Sequence, residues 1–151
     1  MQNTENDISR LNGLITTTID SVEGYREAAK DASSETFRTI FLERATERDR
    51  VVSDLQAEVR TLGGTPDDSG SALAGAHRVF VNLRDAVTGG DDKAVIAEVE
   101  RGEDHIKAKY EAALTDSDLS PNTLSVIQRS YQSVKEGHDQ MRDLKHGVSA
   151  M

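Results

Sequence analysis

The chain has 151 residues, of which 36% are hydrophobic and 30% are charged, and its formal net charge is −9. This acidity opposes binding to the phosphate backbone of nucleic acids and to anionic membrane surfaces. Because there is no cysteine, thiol catalysis, disulfides and thiolate metal sites are excluded, and any metal would need carboxylate or imidazole ligands. The length suits a single domain over residues 1–151.

The sequence also argues against secretion and against membrane insertion. The first ten residues, MQNTENDISR, have neither the basic start nor the apolar run of a signal peptide. No apolar stretch reaches the length that spans a membrane. We therefore expect a cytoplasmic protein whose partners include neither nucleic acid nor a membrane.

Two long amphipathic helices are predicted in the first half of the chain, with apolar residues recurring every three or four positions. The first begins near Thr4, which forms a capping-box-like pair with Asp7, and ends within residues 31–34. The second begins with Ser33 or Ser34 as its N-cap and continues to Leu62, where Gly-Gly-Thr-Pro at residues 63–66 is a strong stop signal. Their short connection predicts an antiparallel hairpin.

The second half predicts a shorter helix and then another hairpin. The shorter helix covers residues 71–87 and forms part of a long crossover that carries the chain back along the bundle. The third long helix begins at residues 91–92 and ends before a turn at residues 116–120. The fourth begins with Ser120 as its N-cap and Pro121 at its first position. The sequence therefore predicts an all-α four-helix bundle made of two hairpins joined by this crossover.

Polar residues interrupt the apolar stripes near the middle of the long helices. On the third helix the stripe passes from Val99 to Ile106 through Gly102 and Glu103, where an apolar residue is expected. A carboxylate in the core is costly unless another group pairs with it. The other helices place further polar side chains at about the same level, namely Glu23, Glu47, Arg48 and His138.

Carboxylates and histidines that converge from several helices are the groups with which helical bundles build di-iron sites. The candidate ligands for iron or another divalent metal are Glu23, Glu47, Glu103 and His138. Each also has a structural interpretation. Glu23 and Glu47 would face solvent, Gly102 would take the core position of Glu103, and His138 would be a core histidine with its hydrogen bonds satisfied.

The order of hairpin, crossover and hairpin resembles the ferritin-like superfamily, with Glu23-Gly24-Tyr25 on the first helix and Gly102-Glu103 and Tyr110 on the third. The chain is also similar to an uncharacterised bacterial family of ferritin-like bundles that is known only as a domain of unknown function. The stretches that carry this similarity are LGGTP at 62–66, GAHR at 75–78, GGDD at 89–92 and ERGE at 100–103. The resemblance implies a ferritin-like fold and no established reaction.

The ligand pattern that the resemblance implies is incomplete in this chain. Glu23 and Glu103 match the two single glutamates of the ferritin-like pattern. Glu47 matches the acid of the Glu-x-x-His motif on the second helix, but the histidine position is Arg50. His138 matches the histidine of the last-helix motif, but the acid position is Lys135. Two of the six usual ligand positions therefore carry cations.

A cation from the protein can neutralise an inward glutamate without any metal. We therefore favour an arginine of the second helix, Arg48 or Arg50, over a cation from solution as the partner of Glu103. The sequence predicts a non-enzymatic ferritin-like protein with a structural or interaction role, which forms homo-oligomers and has no identifiable substrate or cofactor. The alternative is a metal-binding or residual redox protein that uses the four candidate ligands.

Overall fold

The computed structural model describes residues 4–69 and 92–150 of the chain. Four α-helices lie in these ranges: α1 at Thr4–Asp31, α2 at Glu35–Thr61, α3 at Asp92–Leu114 and α4 at Pro121–Ala150. The described ranges contain no strand, so the all-α prediction is confirmed for them. The shorter helix predicted at residues 71–87 lies outside the described residues.

The helix ends lie where local signals in the sequence predict them. Ser34 caps α2, and its hydroxyl accepts a hydrogen bond from the N–H of Phe37 at 3.3 Å. After α2, Gly63 has a φ of 85°, a left-handed conformation that glycine adopts without strain. Ser120 caps α4 in the same way as Ser34 caps α2, because its hydroxyl accepts from the N–H of Thr123 at 3.4 Å.

Contacts at the two ends of the bundle establish the helix directions. At one end, the Asp92 carboxylate accepts hydrogen bonds of 2.9 to 3.1 Å from the turn at residues 33–34, so α3 begins where α1 ends. At the other end, the Thr123 hydroxyl lies 3.1 Å from the Asp7 carboxylate and 3.3 Å from that of Glu58. There α4 and α1 begin and α2 ends. Helices α1 and α4 therefore run in one direction, and α2 and α3 run in the other.

Each helix packs against two main neighbours: α1 and α4 each contact both α2 and α3, whereas α2 and α3 occupy opposite corners. Helix α2 ends and α3 begins at opposite ends of the bundle, as a long crossover connection requires.

Among the helices of the described ranges, none is both long and apolar enough to span a membrane. The largest apolar side chains of the core are Leu11, Ile15, Tyr25, Phe41, Leu55, Ile96, Ile106, Tyr110, Ile127 and Met141.

Asp7 has a role at the start of α4 that was not predicted. Its side chain is buried, and it accepts hydrogen bonds from the backbone N–H of Ser120 at 3.2 Å and the hydroxyl of Thr123 at 3.1 Å. Asp7 therefore helps to cap α4, because α1 and α4 begin at the same end of the bundle. A carboxylate beside a helix N-terminus is also favoured by the helix dipole.

Candidate functional site

The polar centre of the bundle is a salt bridge between Arg48 of α2 and Glu103 of α3. Both side chains are fully buried, at 0% exposure. Two parallel hydrogen bonds join them, from Nη1 to Oε1 at 2.8 Å and from Nη2 to Oε2 at 2.6 Å. This two-pronged geometry is the strongest form of arginine–carboxylate contact. The prediction that an arginine of the second helix holds Glu103 is confirmed, and that arginine is Arg48.

The guanidinium of Arg48 also joins its helix to the other two. Its Nη1 donates to the Ser21 hydroxyl of α1 at 2.7 Å, and its Nη2 lies 3.4 Å from the backbone carbonyl of Val134 on α4. The ring of Tyr25 lies beneath it, with its centroid 5.5 Å from Cζ. One side chain of α2 therefore binds all three other helices, including α3 across the diagonal of the core.

Burial and the charges of the pair shift the pKa values of Arg48 and of two neighbouring tyrosines, Tyr25 and Tyr110. Burial opposes the charge of Arg48, but the carboxylate of Glu103 offsets this and the pKa of the guanidinium is raised. Burial, together with the charge of Glu103, raises the pKa of Tyr25 well above its usual value. Burial also raises the pKa of Tyr110 to about 12, and its hydroxyl shares a hydrogen bond of 2.8 Å with Thr18. Both phenols are therefore uncharged at neutral pH.

Gly137 of α4 provides the space for this salt bridge. A Cβ atom at this position would lie 2.4 Å from Nη2 of Arg48 and 3.0 Å from Oε2 of Glu103. The guanidinium has little freedom to move away, because its hydrogen bonds hold it in place. The sequence does not distinguish Gly137 from Gly13, another glycine inside a helix, which has no such close neighbour. The functional significance of Gly137, and of Ser21, was not predicted.

The four predicted metal ligands have different surroundings in the structure. Glu23 is exposed on α1. Glu47 is half-buried and accepts a hydrogen bond from the Ser133 hydroxyl at 2.9 Å. Glu103 is bound to Arg48, and the Nε2 of His138 lies 2.7 Å from the Asp104 carboxylate. A metal bound by these four residues stays a prediction.

Among the described residues, one group of three or more possible metal ligands has its ligand atoms within 4.8 Å of one another: Glu100, Asp104 and His138. It shares only His138 with the predicted set. For Glu47 the reason is its rotational position on α2, whose core face passes through Ala45, Arg48 and Val52. One residue is about 100° of rotation, so Glu47 lies at the edge of that face.

The two cations at the replaced ligand positions, Arg50 and Lys135, are both exposed. They are therefore on the outside of their helices rather than beside Glu103. The residue that neutralises the inward glutamate is Arg48, which is part of the apolar stripe itself.

The family model described as "Domain of unknown function (DUF2383)" matches residues 6–116. The match covers α2, α3 and all but the first two residues of α1, and it includes both Arg48 and Glu103. Helix α4, with Gly137 and His138, follows the matched stretch. No curated protein matches the chain.

Gly137→Ala tests the close approach of α4 to the salt bridge. Alanine normally stabilises a helix relative to glycine by about 0.5–1 kcal/mol, but here the added methyl group must displace Arg48 or Glu103. We expect the free energy of unfolding to fall by about 1–3 kcal/mol, as measured by urea unfolding followed by circular dichroism. Gly13→Ala is the matched control, and it should be stabilising. Apart from its chain neighbours and the nearby backbone of its own helix, no atom of the described residues lies within 4 Å of the place that its methyl group would take. Equal effects at the two glycines would contradict the role of Gly137.

The buried pair can be tested by removing one charge and then both. Arg48→Met leaves the carboxylate of Glu103 buried without its partner, and we expect a loss of about 3–5 kcal/mol in the free energy of unfolding. The double variant Arg48→Met, Glu103→Leu removes both charges and should regain most of this loss, because apolar residues of similar volume can replace a buried pair. A double variant that is less stable than Arg48→Met alone would contradict this account.

Proposed function

The chain belongs to this family of unknown function, and we propose that it is a ferritin-like bundle without enzymatic activity, with a structural or interaction role. The observation that carries the proposal is the salt bridge of Arg48 and Glu103. It places a guanidinium at the bundle centre, where ferritin-like enzymes hold their metal ions.

The ferritin-like assignment is supported by the directions of the four helices. Helices α1 and α4 run one way and α2 and α3 the other, and α2 ends at the opposite end of the bundle from the start of α3. A four-helix bundle with one long crossover of this kind is the arrangement of ferritin-like folds. The matching family model is described only as a domain of unknown function, so it indicates no activity.

Electrostatics supports the absence of a metal centre around Glu103. Both oxygens of its carboxylate already accept hydrogen bonds from Arg48. A cation placed about 4 Å from the guanidinium would be repelled by about 4 kcal/mol per unit charge at an effective dielectric constant of 20. A divalent ion at Glu103 would therefore need Arg48 to leave. The guanidinium would then also lose its hydrogen bonds to Ser21 and Val134.

The competing function is a metal-binding or residual redox protein that holds iron with Glu23, Glu47, Glu103 and His138. It would require the exposed Glu23 to turn inward and Arg48 to release Glu103. The two functions differ in their behaviour with ferrous iron and oxygen.

Oxidation of ferrous iron in air tests the proposal directly. Untagged protein should oxidise added Fe²⁺ no faster than buffer alone, because Glu103 is already occupied by Arg48. Glu103→Gln is the control variant, and it should behave in the same way in this assay. Iron turnover by the unmodified chain that disappears in Glu103→Gln would contradict the proposal and favour the redox alternative.

The proposal includes self-association, as the sequence predicts. Leu42 of α2 is 48% exposed, and it lines a shallow depression together with Thr39, Glu43, Thr46 and Glu47. If this surface carries the self-association, light scattering should detect a species larger than the monomer, and Leu42→Lys should reduce it by removing the exposed apolar side chain of the contact. A monomer at every concentration tested would contradict this part of the proposal.

A further inference from the structure

A second polar cluster lies on the seam between α3 and α4, away from the buried salt bridge. Glu100 and Asp104 are one helical turn apart on α3 and therefore face the same side. His138 approaches them from α4, and ligand atoms of the three side chains lie within 4.8 Å of one another. Glu100 and His138 are only 15% and 14% exposed, whereas Asp104 is 58% exposed. The cluster is therefore partly shielded and remains open to solvent on one side.

The imidazole of His138 is oriented by carboxylates at both of its nitrogens. Its Nε2 lies 2.7 Å from Asp104 Oδ1, and its Nδ1 lies 3.4 Å from Asp139 Oδ1. Histidines that bind metals commonly donate their other ring N–H to a carboxylate, which fixes the tautomer and the ring direction. Asp139 can take this role and leave Nε2 directed toward Asp104 and Glu100.

A cation of the protein already lies at the edge of the cluster. The ammonium group of Lys145 is 3.3 Å from Oε2 of Glu100. Its side chain is 43% exposed, so it can move into solvent when another cation arrives. Lys145 therefore marks where positive charge is favoured, and it would compete with a metal ion for the same carboxylate.

We propose that Glu100, Asp104 and His138 form a binding site for a divalent transition-metal ion of the zinc class, which links α3 to α4. One imidazole nitrogen and two carboxylates are ligands that zinc accepts, and three protein ligands leave a position for water. Ligands about 2.1 Å from zinc lie about 3.4 Å apart in a tetrahedron, so small side-chain rotations bring these groups into place. Mg²⁺ fits the site less well, because it prefers oxygen ligands and near-octahedral geometry.

This site is independent of the proposed function, because none of its ligands contacts the Arg48–Glu103 pair in the hydrogen bonds and ion pairs of the described residues. Zinc binding at the seam is compatible with a bundle centre that does not oxidise iron. The iron-oxidation assay and the zinc titration described below can therefore give negative results independently of each other.

Calorimetric titration of the untagged full chain with zinc chloride tests the site. We expect one zinc ion per chain, with binding weakened at least about tenfold in His138→Ala. Asp104→Asn should also bind more weakly, while Lys145→Met should bind more tightly because the competing ammonium is gone. His146→Ala is the matched control: it removes an exposed histidine of the same helix and should leave zinc affinity unchanged.

Circular dichroism of each variant shows whether it has folded before titration. No zinc binding by the unmodified chain, or equal affinity in folded His138→Ala, would overturn the proposal. If His138→Ala does not fold, the other two variants decide the matter. Weaker binding by Asp104→Asn together with tighter binding by Lys145→Met supports the site, and unchanged binding in both overturns it.

Discussion

The buried charge of Arg48 determines which groups the other helices must place at the centre of the bundle. An unpaired guanidinium in an apolar core costs several kcal/mol, so the other helices must supply its partners. Glu103 of α3 supplies the opposite charge, Ser21 of α1 a hydroxyl and Val134 of α4 a carbonyl. Gly137 supplies the space beside them. The level of each helix relative to the others is thereby tied to one side chain.

We infer that the pair restricts the bundle to fewer arrangements than an apolar core would accept. Apolar cores tolerate several packings of similar energy, whereas a buried charge tolerates few. If α3 moved by one turn, about 5.4 Å, Arg48 would face Val99 or Ile106 in place of Glu103. The salt bridge would then be lost and both charges left unpaired in the core. The two ionic side chains therefore select the register of two helices at opposite corners of the bundle, whose backbones make no direct contact.

The sequence predicted what depends on local signals. The caps at Ser34 and Ser120 and the glycine after α2 are short-range features, so the helix ends could be located without the structure. Arg48 lay within the predicted stripe, and the cost of a buried carboxylate predicted an arginine of α2 as the partner of Glu103, with Arg48 and Arg50 as the alternatives. The contact of Asp7 with Ser120 was not predicted, because it joins residues more than a hundred positions apart and has no local signal in the sequence.

The geometry of an α-helix relates the buried salt bridge to the cluster on the seam. With about 100° of rotation per residue, Asp104 lies about 100° from Glu103 around α3, and Glu100 lies about 60° away on the same side. On α4, His138 lies about 100° from Gly137. Once Glu103 and Gly137 face the centre, the other three side chains are directed toward the flanks of their helices, where they meet. The same helix rotations that turn Glu103 and Gly137 toward the centre therefore place the two carboxylates and the imidazole on the seam between α3 and α4.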